Sequence, residues 1–135
     1  MPPSVVWGVG VGLVIAAIDT LSIVLMGMSS TAQWPIPDID FLANVMLYSL
    51  IGFRVGRVTG VVREAAEAGV IAAVLVAAIG IGVTFVLKPP GGTIDSAHDV
   101  VGIVAQNIAI GGVLGILTGW LGSRAQQDAR PSSRR

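Results

Sequence analysis

One acidic side chain stands inside an otherwise uncharged apolar run: Asp19, between Val5 and Met28. Helical geometry places it about nine residues, or roughly 14 Å, from the end of that run. A carboxylate buried at such depth in a membrane costs at least ~2.5 kcal/mol, and it carries a proton, finds a partner or faces a water-filled cavity. No Lys or Arg shares its depth. Arg54 lies roughly 13 Å nearer the other side by the same rise, so direct pairing is not expected.

Other polar residues fall near the level of Asp19. Tyr48 and Ser49 lie in the second apolar run, Gln106 and Asn107 in the fourth, and Thr20 is adjacent, whereas Asn44 reads as shallower. A layer of Asp19, Tyr48 or Ser49, and Gln106 or Asn107 forms a candidate intramembrane polar site. One reading is a proton- or solute-binding site. The other is structural: interhelical hydrogen bonds of about 0.6 kcal/mol each.

Other chemistry is sparse. His98 is the single histidine, and cysteine is absent. One imidazole makes neither an ordinary zinc site nor bis-His haem ligation, so no metal or cofactor is expected. His98 reads as part of a helix start, with Asp95, Ser96 or Asp99 as the cap, and Asp38 or Asp40 caps the second helix in the same way. The chain has no G-x-S-x-G, H-E-x-x-H, P-loop or dinucleotide fingerprint. Gly8-Val9-Gly10-Val11-Gly12 lies inside an apolar run and follows no strand. No enzyme is expected.

The elements that must carry these residues are membrane helices. Of 135 residues, 53% are hydrophobic and 12% charged, and the mean hydropathy is +0.83. Soluble chains are about a quarter charged. Four runs meet the requirement of about 20 apolar residues for a bilayer span. The expected fold is therefore an all-α integral membrane protein of four helices, at about 5–28, 41–60, 66–87 and 99–121, within a transmembrane domain over 1–122. The polar stretch 123–135 reads as a disordered basic cytoplasmic tail. A signal peptide is the rival for the first run. The opening Met1-Pro2-Pro3-Ser4 has no basic residue and the run is long, so a retained helix is expected.

The basic residues are sided. Of the eight Lys and Arg, Arg54, Arg57, Arg63, Arg124, Arg130, Arg134 and Arg135 fall on one side and Lys88 on the other. The positive-inside rule then predicts cytoplasmic termini, with the bacterial inner membrane as the default location. Trp7 and Trp120 fall near the inner interface and Trp34 just beyond the outer one, levels where such rings are enriched. The outer loops carry Asp38, Asp40, Asp95 and Asp99, and Pro35, Pro37, Pro89 and Pro90. Zero net charge leaves no nucleic-acid footprint.

The second and fourth helices share a frame, G-x-x-x-G-x-x-T-G, at Gly52–Gly60 and Gly111–Gly119, an offset of 59 residues. Asp40 and Asp99 match at the same offset, as do Gly10 and Gly69. A duplicated hairpin accounts for this, giving two tandem hairpins in the same orientation, a parallel repeat. Chance matching among glycine-rich apolar helices is the alternative. Small residues let helix backbones approach closely in lipid. Gly8 and Gly12, Gly52, Gly56 and Gly60, and Gly111, Gly115 and Gly119 are thus packing positions, within the bundle or against partner chains.

Three function classes follow. The first is a non-catalytic subunit or assembly component of a larger membrane complex, joined to other membrane subunits or to itself through glycine faces. The second is a small homo-oligomeric transporter or channel with Asp19 as the binding carboxylate. A membrane enzyme is third, since Asp19 and His98 sit at different depths.

Overall fold

The computed structural model describes residues 1–28, 36–88, 94 and 96–129. These form four helices: α1 (Pro3–Met28), α2 (Ile36–Thr59), α3 (Val62–Leu87) and α4 (Ala97–Asp128). Each is long and apolar enough to cross a membrane. Trp34, Pro35, Pro89, Pro90, Asp95 and residues 130–135 lie outside the described residues, as do the side chains of Pro37 and Asp38.

The interior is built from small side chains and the surface from large ones. Ala65, Ala68, Ala72, Ala73 and Ala77 are buried, and the largest fully enclosed side chains among the described residues are Tyr48, Ile15, Ile51 and Val55. Leu13, Leu21, Met46, Leu50, Val74, Val113 and Leu117 are exposed. An exposed apolar mantle of this extent is a liability in water. In lipid it costs nothing, and the attraction between helices comes instead from close backbone contact.

Adjacent helices run antiparallel, so α1 lies parallel to α3 and α2 to α4. Helix α2 touches α1, α3 and α4, and α3 also touches all the others, but α1 and α4 do not meet. The bundle is a rhombus with α2 and α3 on the short diagonal. A strict two-fold between the hairpins would make α1–α4 equivalent to α2–α3, and the packing departs from it. The ends differ chemically. Arg54, Arg57, Arg63 and Arg124 mark a basic end, while the α1 C-terminus and the starts of α2 and α4 mark an acidic one.

The glycines explain the tightest contacts. On α1, a Cβ at Gly8 would meet the Ala68 carbonyl oxygen at 2.9 Å, and one at Gly12 the Ala72 Cα at 2.9 Å. On α2, a Cβ at Gly52 would lie 3.0 Å from Gly115 Cα and one at Gly56 2.7 Å from Gly119 Cα. Gly111 would press on the Gly69 carbonyl oxygen at 2.5 Å, Gly115 on the Ala65 carbonyl oxygen at 2.8 Å, and Gly119 on the Ala65 side chain. Seven of the eight expected packing glycines are therefore used inside the bundle. Gly69 and Gly122, absent from that expectation, do the same work against Gly111 and against Phe53 and Arg57.

Gly60 is a correction. It is not part of the α2 ladder but follows the last helical residue, with φ +72°. Its N–H closes on the Gly56 carbonyl at 2.8 Å, and the left-handed conformation turns the chain into α3. Thr59 and Thr118, which share a position in the repeated frame, each donate back to the carbonyl four residues earlier, Val55 and Leu114.

The expected tail is a second correction. Helix α4 continues through Gly122 to Asp128. Gly122 admits the α2 backbone, Ser123 is buried and donates to the Trp120 carbonyl, and Gln126 Nε2 donates to the Val58 carbonyl at 3.3 Å. That last bond satisfies a carbonyl at the end of α2, which has no helical partner of its own. Packing against α2 thus overrides the polar composition of 123–128.

Candidate functional site

At the acidic end the helices part around a cavity of about 230 Å³. Asp19, Ser22 and Ile23 line it from α1, Asp40 from α2, Thr84 and its neighbours from α3, and Ile103 and Asn107 from α4. It lies between α1 and α4, the pair that does not touch. Below it lies a hydrophobic cluster of Ile15, Ala16, Tyr48, Ala72, Ala73 and Val76, the last of which also lines the cavity.

Asp19 is held from α2. Its Oδ1 accepts from Asn44 Nδ2 at 2.9 Å. One turn toward the acidic end, the Ser22 hydroxyl donates to Asp40 Oδ1 at 2.9 Å. The Asp19 and Asp40 carboxyls line the same cavity. Two carboxylates so placed repel, and a shared proton or a nearby cation relieves the repulsion. Tyr48 is 2% exposed, and its hydroxyl has no hydrogen-bond partner among the described residues.

The expected polar layer is partly assembled. Asp19 and Asn107 line the same cavity, with Tyr48 in the cluster beneath. Asn107 Nδ2 donates to the Ile103 carbonyl at 2.9 Å rather than across helices. Ser49 does not join the layer. It lies 100° around α2 from Tyr48, in an apolar groove shared with Thr118 and Leu121 of α4. Gln106, one residue from Asn107, is exposed on the outer face of α4. Thr20 bonds its own helix, to the Ala16 carbonyl at 2.7 Å.

Three participants were not expected. Asn44 is the direct partner of Asp19, and Ser22 and Asp40 form the next layer. Asp40 was expected as a helix cap, but α2 begins at Ile36, so Asp40 lies inside the helix and faces α1. At α4 the capping expectation holds: Ser96 is the N-cap and Asp99 completes a capping box. His98 is exposed there. No group of three metal-binding side chains occurs among the described residues.

No family model, curated protein or solved structure matches the chain. The site must therefore be read from its own chemistry.

The basic end is organised differently. The Arg54 guanidinium lies over the Trp7 ring, 5.7 Å from its centroid, and Arg124 over Trp120 at 3.7 Å. Arg63 pairs with Glu67 at 2.9 Å on the exposed first turns of α3. These cations are committed to rings and to a local acid, and none lines the Asp19 cavity.

Proposed function

We propose that this chain is a small transporter or channel, acting as a homo-oligomer, in which Asp19 is the carboxylate that binds a proton or a solute within the membrane. The observation that carries this reading is the cavity to which all four helices contribute and which Asp19 lines with no cationic partner among the described residues. An intramembrane carboxylate facing such a space fits an ion or solute path. A subunit role through glycine faces loses its main support, because seven of those glycines meet other helices of the same chain.

The positive-inside rule gives the proposal a direction. The arginine-bearing end faces the cytoplasm, both termini with it, and the cavity faces outward, with a bacterial inner membrane as the default. The test is flux across proteoliposomes, with pH-sensitive dye and solid-supported-membrane current as readouts. Wild-type protein gives proton or cation flux that Asp19→Asn abolishes. Flux that is absent for every cation offered, or equal in the two proteins, overturns the proposal.

One observation favours the subunit reading. An apolar groove of about 530 Å³ runs between α2 and α4, lined by Val45, Met46, Leu50, Phe53, Thr118 and Leu121 among others. Mass measurement after gentle detergent extraction separates the readings. A complex with large unrelated subunits supports the subunit role, and a clean homo-oligomer excludes it. Neither reading assigns the chain a catalytic step or a cofactor.

A further inference from the structure

The hydrogen-bonding inventory of the Asp19 cavity defines the ligand it fits. Its hydroxyl donors are already directed at the protein. Ser22 donates to Asp40 and Thr84 to the Gly80 carbonyl. Each of the two amides also spends a donor, Asn44 on Asp19 and Asn107 on the Ile103 carbonyl, and keeps one N–H. Acceptors are left over. Asp19 Oδ1 accepts one bond, from Asn44, and Asp40 Oδ1 one, from Ser22, so the two carboxylates keep further acceptor capacity.

Charge points the same way. Two carboxylates line the cavity, and among the described residues no Lys, Arg or His does. A ligand that brings positive charge and N–H donors answers the repulsion and the surplus of acceptors together. An anion would add a third negative charge, and a neutral acceptor would meet few donors.

Shape narrows the class. Much of the remaining lining is an apolar wall: Ile23, Val76, Ala77, Ile81 and Ile103. A bare metal ion would leave that wall unused, and about 230 Å³ is smaller than the ~300–1,000 Å³ of sites for drug-sized ligands. A short alkylammonium suits both halves, its head among the oxygens and its chain on the isoleucines.

We infer that the cavity is a binding site for a small protonated primary amine, with Asp19 as the counter-ion and Asp40 as a further oxygen ligand. This rests on the reading of Asp19 as an intramembrane binding carboxylate and specifies its ligand.

The test is calorimetric titration of the full-length wild-type chain in lipid nanodiscs. The probes are n-butylammonium, tetramethylammonium, n-butanol, butyrate and sodium, each as a separate titrant. n-Butylammonium binds saturably, and tetramethylammonium, with charge but no N–H, binds at least about tenfold more weakly, the scale of one hydrogen bond to a charged group. n-Butanol and butyrate do not bind. Asp19→Asn weakens butylammonium by about tenfold or more. The wild-type series decides the question even if a variant fails to fold. Absent butylammonium binding, or equal affinity for butanol, overturns the inference. If sodium instead binds in an Asp19-dependent way, the amine falls while the intramembrane site stands. If no titrant binds and no flux is seen, both fall.

Discussion

Gly56→Ala tests the packing logic most directly. A methyl there would meet the Gly119 backbone, with Cα at 2.7 Å and the carbonyl carbon at 2.8 Å. These distances fall about 0.7 Å inside ordinary van der Waals contact. The obstacle is backbone, so no rotamer change removes it, and α2 and α4 must separate. A gap of 0.5–1 Å forfeits roughly a quarter to a half of the dispersion energy along a contact. Overpacking of this kind costs about 1–3 kcal/mol, or about 5- to 150-fold in the unfolding equilibrium. Gly10→Ala is the matched control, because a Cβ there has nothing within 4 Å. It leaves stability unchanged or raises it by at most about 1 kcal/mol through helix propensity. The assay is reversible unfolding in mixed micelles, followed by circular dichroism and Trp fluorescence. Identical midpoints for the two variants would refute the argument. Loss of an oligomer in Gly56→Ala with unchanged subunit stability would show that this face belongs to a partner.

Ser96→Ala removes the N-cap and its capping box with Asp99, which costs about 1 kcal/mol and speeds amide exchange in the first turn of α4. Gly60→Ala forces a side chain onto φ +72° and lowers stability by about 1–2 kcal/mol, with Gly60→Asn costing less. Lys88 caps α3 with φ 44°, so Lys88→Gly stabilises by up to about 1 kcal/mol in the same unfolding assay. Asp19→Ala strands Asn44 Nδ2 and costs about 0.6–1.7 kcal/mol, whereas Asp19→Asn keeps an acceptor and stays near wild type in stability.

Hydropathy carried the spans because each helix is uniformly apolar over the thickness of a bilayer. Asp19 stood out for the same reason, as a lone charge in such a run. Its partners were hidden by two local effects. The first is depth. Pro37, Asp38 and Asp40 read as loop and cap, which starts α2 near residue 41 and leaves Asn44 shallow. Helix α2 begins at Ile36, which puts Asn44 about 12 Å along it, close to the level of Asp19. The second is azimuth. Neighbouring residues point about 100° apart, so Gln106 and Asn107, or Tyr48 and Ser49, cannot share a face. Apolar composition all around the helices gives no period to say which of each pair turns inward. The glycine spacings were legible as close-approach positions, but spacing does not name the helix that approaches.

The glycines and the cavity are two consequences of one pattern. The glycines whose Cβ would collide with another part of the bundle, Gly8, Gly12, Gly52, Gly56, Gly60, Gly69, Gly111, Gly115, Gly119 and Gly122, all lie in the basic half or at mid-depth. In the acidic half, Gly80, Gly82 and Gly102 have nothing within 4 Å. The basic half is therefore cinched backbone to backbone, and the acidic half is held by side chains instead, Asn44 to Asp19 and Ser22 to Asp40. Helices cinched at one end and bridged by polar side chains at the other diverge, and their divergence is the space beside Asp19. On this view the ladders act on the site without touching it. A variant that separates α2 from α4, such as Gly56→Ala, relieves the constraint that splays the opposite end, so it alters butylammonium affinity as well as stability. Gly10→Ala, on an open face, alters neither. Unchanged affinity in a folded but destabilised Gly56→Ala protein would separate the ladders from the site and leave the cavity to the polar bridges alone.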